Sequence, residues 1–128
     1  MNINAGLKEL RVASARVWVE EAITPEQKAK GLGERSSLAK DQGMIFPFDP
    51  PQKPDFWMKG MRFPLDFIWI RDDKVVDITE HVAAPLSSMT NTQLPHYFPN
   101  DDIDTVLEVN AGFVEYYKIK IGDEVTGL

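Results

Sequence analysis

The segment Asp66-Phe67-Ile68-Trp69-Ile70, the pair Asp72-Asp73 and residues 74–82 together decide the fold of this chain. The first segment holds the densest apolar run in the sequence, which is typical of a buried strand. Apolar and polar residues alternate through much of 74–82, and a period of two predicts a second strand. The two aspartates between these segments favour a tight turn. We therefore predict two strands joined by that turn.

The N-terminal part of the chain combines an alternating segment with the start of a helix. Apolar residues alternate through 10–19 around a stretch of small residues, which predicts either one long bent strand or two short ones. Thr24 can cap a helix, Pro25 suits its first position, and Gln27 completes a capping box. Gly31 follows closely and ends the helix, so we expect only about two turns.

Prolines and the distribution of charge divide the middle of the chain, residues 43–99, into segments. Residues 43–48 are typical of a buried strand in which Pro47 marks either an edge or the strand end, and the prolines of 47–54 predict an irregular loop. Residues 56–58 predict a further strand. Residues 84–99 carry no Asp, Glu, Lys or Arg and three prolines. They form either a long connection packed over one end of the core or a binding loop.

The C-terminal part contains four short elements. We predict an acidic turn at 101–104, a strand at 106–109, a short helix at about 111–117, and a last strand after Gly122-Asp123. No repeat and no linker interrupt the pattern. The sequence therefore predicts one α+β domain, mainly β, over residues 1–128.

Composition excludes several classes of function. The 128 residues carry a formal net charge of −6, 43% hydrophobic residues and no cysteine. The acidic balance argues against nucleic acid or an anionic membrane as the main partner. No apolar run approaches the ~18–20 residues that span a membrane. Without cysteine the chain has no disulfide framework, thiolate zinc site or cysteine nucleophile.

The order of several motifs resembles a known prokaryotic family. They are Gly31-Leu32 with Arg35, Gly43-Met44-Ile45-Phe46, Phe56-Trp57-Met58-Lys59, Pro64-Leu65-Asp66, Leu107-Glu108-Val109 with Ala111-Gly112, and Gly122-Asp123. Over about residues 16–125 the chain resembles the family called domain of unknown function 192. The resemblance implies a compact, mainly β domain with a few short helices, and it carries no activity. Because family members often follow a secretion signal or a lipoprotein anchor, it also favours an extracytoplasmic location.

The chain departs from the family pattern at two places. Gly60-Met61 follow Lys59 where the family usually has asparagine and threonine, and Gly33 replaces a methionine after Gly31-Leu32. If the asparagine–threonine pair binds a ligand elsewhere in the family, this protein binds it differently or not at all.

Two carboxylates within apolar strands are the candidates for catalysis. Asp66 and Glu108 could act as acid and base on a glycan if their carboxyl groups converge, at roughly 5–5.5 Å for retaining or 6.5–9.5 Å for inverting hydrolysis. Alternatively each faces away from its apolar neighbours and bonds backbone groups, Lys59 or Arg35. Sequence spacing alone leaves both interpretations open.

Cations and aromatic residues are the candidates for binding. Lys59 could hold an anionic group and Arg35 could grip a carboxylate, although Arg35 could equally tie the loop after the first helix to the sheet. Trp57 and Tyr97 have apolar faces and polar tips that suit a sugar or a peptide. Trp69 is instead expected in the core.

Metal and cofactor motifs are lacking in the sequence. The two histidines, His81 and His96, lie far apart and without helical pairing, and no glycine-rich phosphate loop or serine elbow is present. We therefore predict no metal site and no cofactor.

These observations lead to one main hypothesis and one alternative. We predict a small open barrel-like sheet with two or three short helices, acting as a ligand-binding or accessory module for a small molecule, glycan or peptide. Its site is expected between residues 47–54, 59–62 and 84–99. The alternative is a small glycan hydrolase that uses Asp66 and Glu108. The sequence does not indicate an oligomeric state.

Overall fold

A computed structural model describes residues 4–128 and shows one seven-stranded sheet beside a two-stranded one. The strands are β1 (Lys8–Val12), β2 (Ala15–Glu21), β3 (Gln42–Gln52), β4 (Phe56–Trp57), β5 (Leu65–Arg71), β6 (Lys74–Val82), β7 (His96–Tyr97), β8 (Ile103–Asn110) and β9 (Val125–Thr126). The helices are α1 (Pro25–Lys30) and α2 (Phe113–Tyr117), and a 3-10 turn covers Asn91–Gln93.

The large sheet has the order β6-β5-β8-β3-β2-β1-β9, and β4 pairs with β7. All of its pairs are antiparallel except β2 with β3. Its two edges meet at one end, where Val75 donates to the Asp123 carbonyl at 2.9 Å and Gly122 donates to the Val75 carbonyl at 2.7 Å. These bonds curl the sheet into the open barrel-like form that the sequence predicted, and the mainly β, α+β fold class is confirmed.

The structure confirms three predictions that depend on neighbouring residues: the N-terminal strands, the helix start and the turn between β5 and β6. Of the two possibilities for residues 10–19, the structure has two short strands, β1 and β2, paired as a hairpin. At the start of α1, Gln27 donates its N–H to the Thr24 hydroxyl at 3.1 Å. The Gln27 side-chain oxygen in turn accepts from the Thr24 N–H at 3.1 Å. Asp72 and Asp73 both have positive φ, 50° and 60°, as the tight turn between β5 and β6 requires.

The loop predicted for 47–54 is largely wrong, because β3 continues through Pro47 to Gln52. The Ile45 carbonyl accepts from the Ala22 N–H, so this side of β3 faces β2. In a strand, Pro47 points the same way as Ile45 but lies beyond the last β2 pair, and its missing N–H therefore costs no ladder bond. Instead the Lys28 ammonium of α1 donates to the Pro47 carbonyl.

Each face of the large sheet carries its own apolar cluster. The concave face packs β-strand residues such as Leu10, Ile68 and Leu107 against α2. The outer face buries a second cluster that includes Phe46, Phe67 and Trp69, covered by the segments around β4 and β7. Trp69 is fully buried, as expected from the sequence, and donates its indole N–H to Thr79 at 3.0 Å.

The neutral segment at residues 84–99 packs against the core only in part. Leu94 is buried and Tyr97 packs against the outer cluster, whereas Leu86 and Phe98 are exposed. None of the helices within residues 4–128 is long and apolar enough to cross a membrane.

Candidate functional site

A cavity of about 320 Å³ opens on the outer face of the sheet, between α1, the second half of β3 and β4. Aromatic rings form much of its wall. The Phe46 and Phe56 ring centroids lie 5.0 Å apart in an edge-to-face contact, and Phe48 lies 6.1 Å from Phe56. The residues that line the cavity are Lys28, Ala29, Lys30, Gly31, Leu32, Phe46, Phe48, Gln52, Pro54, Asp55, Phe56, Trp57, Lys59, Met61 and Glu108.

Glu108 is the buried acid of this cavity. It lies on β8 opposite Met44 of β3 and Phe67 of β5, so its side chain shares the outer face with these two residues. The residue is only 4% exposed, and within the described part of the chain no hydrogen bond or ion pair engages its carboxyl group, whose oxygens face the cavity. Desolvation by burial raises the pKa of Glu108 to about 8. At neutral pH the group is therefore mainly a protonated acid that faces the cavity without a partner.

Gly31 leaves the space above this acid open. It ends α1 with a positive φ of 50°, a conformation that L side chains rarely adopt. A Cβ at this position would lie 3.3 Å from Cζ of Phe46 and 3.6 Å from Oε1 of Glu108. The missing side chain thus gives a ligand access to the carboxyl group.

Three lysines line the same cavity. The Lys28 ammonium lies 4.2 Å from the centre of the Phe48 ring, and the Lys59 ammonium lies 5.3 Å from the Trp57 ring. Lys30 is exposed at the C-terminal end of α1. These side chains surround the cavity with positive charge and hold two of the aromatic rings by cation–π contact.

A histidine–aspartate pair stands beside Trp57. His96 pairs with Trp57 across the β4–β7 ladder, and the two rings are 6.0 Å apart. Nδ1 of His96 lies 2.9 Å from a carboxylate oxygen of Asp55, which lines the cavity. Sequence reasoning missed this pair, because nothing in a separation of 41 residues indicates that they meet.

Asp66 is buried on the opposite face. It is fully buried and accepts three backbone N–H groups, from His81 at 2.8 Å, Gly112 at 3.1 Å and Val114 at 3.0 Å. Its position on β5 matches Val109 of β8, one residue away from Glu108 and so on the other side of the sheet. The glycan hydrolase hypothesis requires the two carboxyl groups to converge on one pocket, and they do not. Asp66 instead ties β6 and the start of α2 to β5.

The other predicted binding residues separate in space. Trp57 and Lys59 line the cavity, whereas Arg35 makes two contacts with the Glu20 carboxylate on β2, one of them at 3.2 Å. Tyr97 pairs with Phe56 and packs its ring 5.9 Å from Phe67, under the cavity wall. Trp57, Lys59 and Glu108 are therefore the predicted residues that the cavity brings together.

Replacing Arg35 with alanine should have little effect on either stability or ligand binding. Both side chains of the Arg35–Glu20 pair are more than a third exposed, at 38% and 39%, and surface ion pairs contribute only about 0–1 kcal/mol. Urea denaturation at low and high salt measures this contribution. A loss well above 1 kcal/mol would show instead that Arg35 anchors the loop after α1.

Comparison with known proteins places the chain in a family. The family model of domain of unknown function 192, described as "Uncharacterized ACR", matches residues 8–127. The chain belongs to this family. The search of curated proteins found no match.

Two solved structures resemble this family member over nearly its whole length. One is a protein from Sinorhizobium meliloti 1021 that is provisionally described as a transcription regulator. It is 30% identical with a TM-score of 0.83, covering 95% of this chain and 94% of that chain. The other is a protein of unknown function from Novosphingobium aromaticivorans DSM 12444. It is 29% identical with a TM-score of 0.81, covering 93% of this chain and 84% of that chain.

The two departures from the domain of unknown function 192 pattern meet in space beside the cavity. A Cβ on Gly33 would lie 2.8 Å from the Lys30 carbonyl and 3.2 Å from the Lys59 carbonyl. Gly60 has a positive φ of 75°, and a Cβ there would come within 2.7 Å of the Glu34 carboxylate. A methionine at position 33 would require the Lys30 carbonyl to move, and the Lys59 carbonyl to move slightly. Gly33 therefore lets the backbone at Lys30 and Lys59 approach closely.

Within residues 4–128, no group of three or more His, Asp or Glu side chains is arranged to hold a metal ion. The polar groups of the cavity are the three lysines, Gln52, Asp55 and Glu108. They can bind and orient a ligand by charge and hydrogen bonding, and Glu108 can donate a proton in a hydrogen bond.

Proposed function

We propose that this protein is a small-molecule-binding module whose site is the cavity above Glu108. The observation that carries the proposal is a buried carboxyl group without a protein partner, aimed into an open, aromatic-lined cavity. The Glu108 oxygens reach the cavity space, because no fully buried side-chain nitrogen or oxygen within residues 4–128 lacks a hydrogen-bond partner. A ligand that displaces water from the cavity can therefore form a hydrogen bond with this group. The cavity of about 320 Å³ lies at the lower end of the range of small-molecule sites.

Trp57 and Lys59 are the residues we expect to contact the ligand first. Trp57 is half-buried and offers a flat apolar face, while exposed Lys59 holds its charge near that ring. Lys59 also borders a second depression formed with residues 85–94 of the neutral segment. That segment is therefore proposed as a neighbour of the site rather than its main wall.

The description of the S. meliloti protein as a regulator is compatible with a ligand-sensing role, but direct contact with nucleic acid is not proposed. Binding to a phosphate backbone requires clustered cations, and this chain carries a formal charge of −6. We further propose an extracytoplasmic location, which the family resemblance supports. Fractionation of cells that produce the protein from its native gene tests this part independently.

A thermal-shift screen against sugars, peptides, nucleotides, organic acids and metal salts tests the binding function. A ligand that binds only the folded state must raise the unfolding midpoint. If no compound raises it at millimolar concentration, the proposed function is wrong.

Trp57→Ala and Lys59→Ala should each weaken binding of a hit from this screen by about tenfold or more, the loss expected for removing one ring or one charge. Neither residue is fully buried, so the midpoint of the free protein should barely move. Isothermal titration measures the affinities.

Tyr116→Ala and Lys120→Ala are the matched controls. Tyr116 is 78% exposed on α2 and Lys120 is exposed beyond it, and neither lines the cavity. If the Trp57→Ala and Lys59→Ala variants both bind with unchanged affinity, the ligand does not bind in this cavity.

A further inference from the structure

We propose that the cavity selects a small organic anion with a flat ring, whose charge lies at the lysines and whose far end accepts a hydrogen bond from Glu108. This inference rests on the proposed function and adds the chemical class of the ligand. Its basis is the distribution of charge, rings and hydrogen-bonding groups around the cavity.

The charged groups of the cavity favour an anion. Lys28, Lys30 and Lys59 face two acids, Asp55 and Glu108. Asp55 is already bound to His96, and Glu108 is buried at a position that disfavours its charged form. The remaining balance is positive, although the whole chain is acidic.

The lysines themselves have no carboxylate partners. The ion pairs found in residues 4–128 engage other cations, and none includes Lys28, Lys30 or Lys59. Lys28 is held by the Pro47 carbonyl and the Phe48 ring, and Lys59 by the Trp57 ring. Because neutral groups position these ammonium groups, their charge stays available to a ligand.

The walls fit a flat ring. Phe46 and Phe56 meet edge to face at 80°, and Trp57 adds a half-buried indole near the mouth. Aromatic rings prefer offset or edge contacts with other rings, which such a set of walls provides.

At the inner end of the cavity, the ligand needs a hydrogen-bond acceptor. Glu108 is surrounded by Phe46, Gly31 and the neighbouring strands, and its oxygen faces the space that Gly31 leaves open. A protonated carboxyl group has one donor and can also accept. A carbonyl, ether or hydroxyl oxygen on the ligand would satisfy it, whereas a hydrocarbon end would leave it unpaired.

A cation is the opposite possibility, because aromatic walls around a carboxylate can bind an ammonium group. That arrangement needs Glu108 to be charged and free of nearby lysines. Burial disfavours the charged form of Glu108, and Lys28, Lys30 and Lys59 line the same cavity, so the structure favours the anion.

Three compounds that differ mainly in charge test the assignment. These are 4-hydroxyphenylacetate (anion), tyramine (cation) and 4-ethylphenol (neutral), titrated at pH 7 into the intact protein and followed by amide and indole NMR signals. We expect the anion to shift the Trp57 indole and Gly31 amide signals and to bind about tenfold or more tightly than tyramine, as charge complementarity predicts. The preference should shrink at high salt.

Charge-reversal variants test which residues cause the preference for an anion over a cation. Lys59→Glu and Lys30→Glu should reduce the ratio of anion to cation affinity about tenfold, an effect of charge beside the ligand, and Lys120→Glu should leave it unchanged. Glu108→Gln keeps a donor and should retain binding, while Glu108→Met removes it and should weaken the hydroxyl-bearing anion. Both replacements lack a buried charge, so loss of folding is not expected.

The outcomes separate the two proposals. If tyramine binds as tightly as the anion, or if 4-ethylphenol does, the cavity is a binding site but the anion assignment is wrong. If none of the three shifts these signals at 20 mM (about the weakest binding such titrations detect), the anion assignment is also overturned. The broader thermal-shift screen then decides the proposed function on its own.

Discussion

Glu108→Gln should make the protein progressively more stable than the wild type as the pH rises from about 4.5 to about 8. In the unfolded chain this carboxyl loses its proton near its ordinary pKa of 4.5, while burial keeps the folded pKa at about 8. Between these values the folded state binds more protons than the unfolded state, so the wild type loses stability as the pH rises. The free energy of unfolding should therefore fall by on the order of 5 kcal/mol from this group alone. Glutamine does not titrate, so the free energy of unfolding of the Glu108→Gln variant does not show this decrease.

Urea denaturation of both proteins at several pH values from 4 to 9 measures the effect as a difference. The effects of all other titrating groups cancel in that difference, and any constant cost of burying the amide shifts the curve without changing its slope. Glu80→Gln, at an exposed position on β6, is the control and should show no such slope. A difference between wild type and Glu108→Gln that is independent of pH would contradict a buried, partnerless acid.

Asp66→Ala should destabilise the fold by roughly 3–5 kcal/mol, because it leaves three backbone donors without their acceptor. The N–H groups of His81, Gly112 and Val114 all end on this one side chain, which is fully buried. Water cannot replace the lost oxygen atoms without entering the sheet interior. Asp66→Asn should cost less, since one carbonyl oxygen remains as an acceptor.

Asp77→Ala is the matched control for Asp66. Its carboxylate also accepts backbone N–H groups, from Ile78 at 2.8 Å and Asn100 at 2.9 Å, but it is only partly buried. Solvent can reach the freed donors, so a loss of about 1 kcal/mol is expected. If the two alanine variants unfold at similar urea concentrations, Asp66 is not the anchor of α2 that the structure indicates.

The features predictable from the sequence are those set by neighbouring residues. The capping box of α1 needs only Thr24 and Gln27, and the turn between β5 and β6 needs only Asp72 and Asp73. The continuation of β3 beyond Phe48 to Gln52 was missed because its pairing depends on β8, far along the chain. The local proline content indicated a loop. Pro47, however, lies on the side of β3 that has no partner strand at this point, so its missing N–H breaks no ladder bond.

The site was predictable to a smaller extent for the same reason. Glu108 stood out as an acid within an apolar strand, but only the register of β8 with β5 decides which face it occupies. Lys28 and Lys30 belong to a short helix with no apolar pattern of its own, and only the docking of α1 beside β3 brings them to the cavity. No spacing in the sequence reports that docking.

The position of β8 also sets the order in which the protein can form. This strand lies between β3 and β5, yet it spans Ile103–Asn110, after both of them in the chain. During synthesis each of these two strands keeps one edge unpaired until β8 has left the ribosome, and such long-range pairing is typical of slow folding with edges exposed to aggregation. Because β8 also carries Glu108, the floor of the cavity is completed in the same step that joins the two halves of the sheet.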